Sequence, residues 1–147
     1  MNLCSEGHDE VCYDGRNCPV CELLAGITWL QKRIETSKVG IFGVGGIGTW
    51  IVNGLYQIGV GEIRITDPDI VEETNLNRQL FFDSKDIGKY KMDVIKTKLK
   101  DANIVTFKKR VEPHQDLEEI VSGCNFLVNC ADNPSVVETT KIIDKYA

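Results

Sequence analysis

The stretch "VGIFGVGGIGTWIVNGL", Val39 to Leu55, decides how the chain is read. A short apolar run enters a turn dense in glycine and leaves it as an amphipathic run. Gly43, Gly45 and Gly48 stand in the pattern GxGxxG at that junction. The first glycine permits a tight turn, the second lets the backbone approach a phosphate, and the third lets helix and strand pack closely. The amides that open the helix then face the anion. The pattern promises a nucleotide and leaves its chemistry open.

Outward from this turn, strand and helix alternate. Residues 38–44 read as a buried strand, 47–58 as a helix, and 62–66 as a second strand in which Ile63 and Ile65 alternate with charge. A polar loop fills 67–79. A helix over 85–100 presents Ile87, Met92, Ile95 and Leu99, with Ser84 as its cap. Residues 104–109 make a third strand, 116–121 a short helix, 126–130 a fourth strand, and 135–146 a helix running to the C-terminus. Strands separated by helices specify an α/β fold, a Rossmann-like parallel sheet with right-handed crossovers and flanking helices.

Before Ser37 the composition changes. Residues 1–21 form a cysteine-rich, turn-rich head, residues 22–37 an amphipathic helix and linker, and residues 38–147 the nucleotide-binding domain. The helix carries Leu23, Ile27, Leu30 and Ile34 at alternating spacings of four and three. Such a stripe packs on a neighbouring domain or on a second copy of the chain, and a homodimer is expected.

Four of the six cysteines, Cys4, Cys12, Cys18 and Cys21, crowd the head. In a chain without a signal-like N-terminus that crowding points to metal before disulfides. Cys4 and His8 in "CSEGH", with Cys18 and Cys21 in "CPVC", offer a tetrahedral set for Zn2+; Cys12 is the alternative to His8. A head with almost no core needs such a staple to fold. The remaining Cys124 and Cys130 flank or end a predicted strand and read as small buried hydrophobes.

With hydrophobic residues at 42% and charged residues at 27%, the composition is that of a soluble globular protein. A net charge of -5 offers no broad basic surface for nucleic acid. No apolar run approaches the roughly 20 residues that span a bilayer. A cytoplasmic protein is expected, with neither nucleic acid nor membrane as its partner.

The residues beyond the glycine turn narrow the nucleotide. Asp67 ends the second strand about 20 residues past the turn, where an acidic side chain binds ribose hydroxyls. The loop "DPDIVEETNLNRQLF" and the following "DIGKYK" then supply Asn75, Asn77, Arg78, Gln79 and Lys91. A nicotinamide site that carries only a diphosphate needs no Arg and Lys there. A triphosphate does, because attack on the α-phosphorus shifts negative charge onto the leaving pyrophosphate, and cations must meet it.

Together, "GVGGIG", "IGVGEIRITDPDIVEETNLNRQ", "DIGKYK" and "NCADN" resemble the ThiF-like adenylyltransferases of the ubiquitin-activating enzyme superfamily, over about residues 38–147. The resemblance implies a domain that binds ATP with Mg2+ and adenylates the C-terminal carboxylate of a ubiquitin-like or sulfur-carrier protein. It implies that the loop of Gly43, Gly45, Gly46 and Gly48 lies by the phosphates and that Asp67 lies on the ribose. It places Asn75, Arg78 and Lys91 on the polyphosphate and Asp132 on magnesium, with Arg78, Lys91 and Asp132 serving catalysis. The residues agree with it: Asp132 follows a predicted parallel strand, where open α/β sheets keep their ligands. A hard cation held by one carboxylate and phosphate oxygens suits magnesium.

In the family an N-terminal helix of the partner subunit often supplies an arginine to the phosphates. Lys32 and Arg33 lie in that region without a clear motif match. Family members also run on past the position of Ala147, so the domain is expected to be incomplete at its C-terminus, with an exposed edge strand that a continuation or partner must cover. Two other readings compete: a non-catalytic interaction module that binds nucleotide and zinc, and an NAD-dependent oxidoreductase.

Overall fold

The computed structural model describes residues 19–114 and 116–146. The chain divides into two compact units, Met1–Ile34 and Glu35–Ala147. Helix α1 begins at Pro19 and runs to Thr36, all but its last two residues in the first unit. It starts earlier than the apolar period suggests because proline suits the first helical position, where its missing N–H is not needed and its φ is already helical. Leu23, Ile27 and Leu30 are exposed along it, and the Arg33 guanidinium lies over the Trp29 ring at 4.9 Å.

The second unit is a four-stranded parallel sheet in the order β3-β2-β1-β4, with β1 at Lys38–Phe42, β2 at Glu62–Thr66, β3 at Ile104–Phe107 and β4 at Phe126–Asn129. Helices α2 (Gly46–Gln57), α3 (Lys91–Lys98), α4 (Glu118–Val121) and α5 (Val136–Ile143) connect or follow the strands. This is the expected Rossmann-like α/β architecture. Alternation along β1 divides the interior into two cores. Val39 and Ile41 join Val52 of α2 and Met92 and Ile95 of α3 on one face, while Phe42 joins Leu117, Ile120, Ile142 and Ile143 on the other. Both faces are therefore covered, as parallel strands require.

The largest departure from the expected elements lies at 85–100. Instead of one helix there is a 3-10 turn at Ser84–Asp86, then α3 from Lys91. Gly88 sits at φ +84° between them, in the left-handed region that ends a helix. The chain there pairs with the loop after β2: the Val71 amide donates to the Lys89 carbonyl at 2.8 Å, the Gly88 amide to the Val71 carbonyl at 2.9 Å, and Ile70 bridges Tyr90. Asp83, not Ser84, accepts the capping hydrogen bond, from the Lys85 amide. Met92, Ile95 and Leu99 are buried as their spacing predicts, but Ile87 is exposed. At the other elements only ends differ; Ser135, for instance, caps α5 by accepting the Glu138 amide at 3.2 Å. Among the described residues no helix is long and apolar enough to cross a membrane.

Candidate functional site

At the carboxyl ends of β1, β2, β3 and β4 lies a cavity of about 680 Å³. Its floor is the glycine turn. Gly43 has φ +87°, and a Cβ there would stand 2.9 Å from backbone atoms of Cys130 and Ala131. No other residue fits that conformation in that space. Gly48 does not border the cavity. A Cβ on it would meet the Gly43 carbonyl oxygen at 2.1 Å, so its place is the close packing of α2 beneath the turn. Gly45 and Gly46 do border the cavity, and the Arg78 stem runs past Gly46 at a distance where a Cβ would just touch it.

Asp67 leaves the end of β2 buried, 6% exposed. One carboxylate oxygen accepts the Val44 amide and the other the Asp69 amide, each at 2.8 Å. Two backbone donors thus orient the carboxylate against the glycine turn and leave lone pairs on both oxygens for hydroxyl donors. Asn75 is also buried. Its side-chain oxygen accepts the Glu72 amide at 3.0 Å, which closes the 3-10 turn Glu73–Asn75. Arg78 is exposed and donates to the Thr74 carbonyl and to Asn77. Lys91, at the first position of α3, brings its ammonium to 3.3 Å from Asp69 and 3.9 Å from Asp67.

Asp132 follows β4, borders the cavity and is exposed. It makes no ion pair among the described residues. A hard oxygen donor held free at the carboxyl edge of a sheet fits a magnesium ion shared with phosphate oxygens. Among the described residues no group of three His, Cys, Asp or Glu is close enough to hold a metal ion without such a ligand. The proposed zinc ligands Cys4, His8 and Cys18, with Cys12, lie outside the described residues, and of Cys21 only the backbone is described, in α1.

The structure therefore brings Gly43, Gly45, Gly46, Asp67, Asn75, Arg78, Lys91 and Asp132 to one cavity. Lys32 and Arg33 lie on α1, in the other unit. Sequence reasoning missed Asp69, Lys109 and Arg110, which border the same cavity. Their signal was present in "DPD" and at the end of "FKKR", where a strand end aims side chains at the ligand edge. Thr49 was missed as well: its hydroxyl donates to the Gly45 carbonyl at 2.9 Å and accepts the Leu80 amide at 3.3 Å, tying α2 to the Arg78 loop. Cys130 borders the cavity too, yet burial pushes its thiol and that of Cys124 up. Neither is a ready thiolate nucleophile.

Residues 19–147 match the model of the ThiF family. The chain belongs to the ThiF family. This ThiF-family chain is 33% identical over 110 residues to the adenylyltransferase and sulfurtransferase UBA4 of Lodderomyces elongisporus, a match covering 72% of this chain and 24% of that protein. It is 29% identical over 105 residues to the tRNA threonylcarbamoyladenosine dehydratase of Haemophilus influenzae, covering 69% of this chain and 40% of that protein. The solved structure of E. coli MccB with ATP superposes with a TM-score of 0.72 at 30% identity, over 81% of this chain and 36% of MccB. The matched part of the ThiF-family chain thus spans 24% to 40% of the length of these proteins. The resemblance carried by the glycine turn, the "NLNRQ" loop and "NCADN" is borne out at the level of family and fold.

Proposed function

We propose that the chain carries the ATP-binding half of a ThiF-type adenylyltransferase, which adenylates the C-terminal carboxylate of a ubiquitin-like or sulfur-carrier protein. The observation that carries this reading is the gathering of Arg78, Lys91 and Asp132 around one glycine turn, with Asp67 aimed beside it. Asp67 binds the ribose hydroxyls, and the amides after Gly45 together with Arg78 and Lys91 receive the polyphosphate. Asn75 shapes the loop that presents Arg78. A carboxylate oxygen of the carrier attacks the α-phosphorus, the bond from that phosphorus to the bridging oxygen of the pyrophosphate breaks, and an acyl-adenylate and pyrophosphate result. The carboxylate is its own nucleophile, so the protein contributes position and charge neutralisation. Asp132 would hold magnesium here, and the ion when bound would supply charge neutralisation for the polyphosphate.

In the same reading the chain works in the cytoplasm, where the free thiols of Cys124 and Cys130 stay reduced. It pairs with a second copy through the apolar stripe of α1. Zinc held by Cys4, His8, Cys18 and Cys21 belongs to this reading on sequence spacing alone.

The test is ATP–pyrophosphate exchange by the purified chain with magnesium and a candidate carrier, alongside calorimetric titration of ATP and NAD. Exchange that needs the carrier supports the enzyme. Binding of ATP without exchange favours a non-catalytic module, and tighter binding of NAD than of ATP favours an oxidoreductase.

A further inference from the structure

Lys91 is the most sheltered cation bordering the cavity: its side chain is 6% exposed, against 31% for Lys109 and 41% for Arg110. A buried ammonium needs an anion at hand. Asp67 stands 3.9 Å away, with both oxygens already receiving backbone amides. Asp69 is nearer, at 3.3 Å through Oδ2. Its backbone also holds Lys91, because the Lys91 amide donates to the Asp69 carbonyl at 3.1 Å beside the Ile70 to Tyr90 bridge. One residue therefore fixes both the root and the tip of the lysine. The second oxygen, Oδ1, lies 3.4 Å from Nη2 of Arg110. The Asp69 carboxylate thus makes the nearer contact to two like charges on the cavity wall, with Asp67 3.9 Å from Lys91 and Glu112 3.9 Å from Arg110.

We propose that Asp69 is a positioning residue, which holds the Lys91 ammonium and the Arg110 guanidinium in place for a polyphosphate. What Lys91 then touches rests on the adenylyltransferase reading; what holds Lys91 rests on geometry alone. Arg110 is thereby assigned to the anion-binding wall. The opposite role is physically distinct: Asp69 as a competing anion that the phosphates must displace.

Two measurements on the full chain separate these. Acetylation of lysines by N-hydroxysuccinimidyl acetate, followed by peptide mass spectrometry, reads the accessibility of Lys91 without any nucleotide. In Asp69→Asn, Lys91 should react several-fold faster while exposed Lys96 keeps its rate, and Asp69→Glu should largely restore protection. Asp69→Ser serves as a second charge-removing variant if the amide disturbs the turn. Calorimetry then reads ligands: Asp69→Asn should weaken magnesium ATP about tenfold or more, the loss of one charge-assisted contact, and leave adenosine within about twofold. Unchanged Lys91 reactivity in the charge-removing variants overturns the proposal. So does ATP binding as tight as or tighter than wild type, which would make Asp69 a competitor. If wild type binds no ATP, the adenylyltransferase reading fails, and the acetylation rates alone decide whether Asp69 positions Lys91.

Discussion

The Asp67 carboxylate accepts the Val44 amide at 2.8 Å, which ties the end of β2 to the glycine turn leaving β1. The side chain proposed to bind ribose is therefore also the clasp that shapes the glycine turn. Asp67→Ala should weaken ATP binding by more than about tenfold and, by orphaning the Val44 and Asp69 amides, lower stability by about 1–3 kcal/mol. Asp67→Asn keeps one acceptor and should fall between. Calorimetry and urea unfolding on the same variants check both effects.

Gly48 supports the turn by the absence of a side chain. An added Cβ would sit 2.1 Å from the Gly43 carbonyl oxygen, an atom of rigid backbone. Gly48→Ala should cost about 1–3 kcal/mol, the usual range for forced overpacking, and weaken ATP as α2 lifts. Gly45→Ala, where a Cβ would meet nothing within 4 Å, should leave stability within about 1 kcal/mol. Urea unfolding midpoints of the pair give the comparison.

Asp132 is exposed and anchors nothing in the fold, so its loss should be felt only through the cation. Asp132→Asn should leave stability within about 0.5 kcal/mol, as other surface changes do. It should also abolish most of the gain in ATP affinity that magnesium confers, while affinity measured in EDTA stays the same. A variant that retains the full magnesium effect would place the ion elsewhere.

Asp86 is the hub beneath α3. It accepts from Lys98 at 2.7 Å and from Lys89 at 3.1 Å, and the Lys98 ammonium beside it lowers its carboxyl to about 2. A carboxyl depressed on folding stabilises above its unfolded value, near 4, and that contribution fades as pH falls toward 2. The partner Lys98 is raised by the same contacts, so its share persists below its ordinary value of 10.5 and is lost only at more alkaline pH. Asp86→Asn should lower stability by about 1.5–3 kcal/mol at pH 7 and flatten the loss of stability between pH 4 and 2. Thermal unfolding across that range reads it.

The glycine turn, the strand-helix alternation and Asp67 were legible because each depends on local chemistry: period, turn and strand end. The break near Gly88 was not, since the apolar period of 85–100 continues through it. What overrides the period is pairing with residues 69–71, a contact distant in sequence. The contact of Asp69 with Lys91 stayed hidden for a related reason, although its place at the strand end was readable. Its neighbour Asp67 fitted a known spacing, and nothing in "DPDIV" tells that the second aspartate meets Lys91 across that pairing. Arg78 and Lys91 could be named from the sequence, whereas their surroundings, one exposed and one enclosed, belong to the tertiary fold.

Central strand β1 bonds on one side to β2, close by in sequence, and on the other to β4, where Lys38 donates its amide to the Asn125 side chain across 87 residues. The glycine turn sits where these two pairings meet, its Gly43 amide on the Thr66 carbonyl and its Cα against Cys130. The long loop must close before the turn has its second wall, and distant pairings of this kind form late. During refolding, the capacity to bind nucleotide should consequently lag behind the helical signal, which makes the ligand a clock for the last step of assembly.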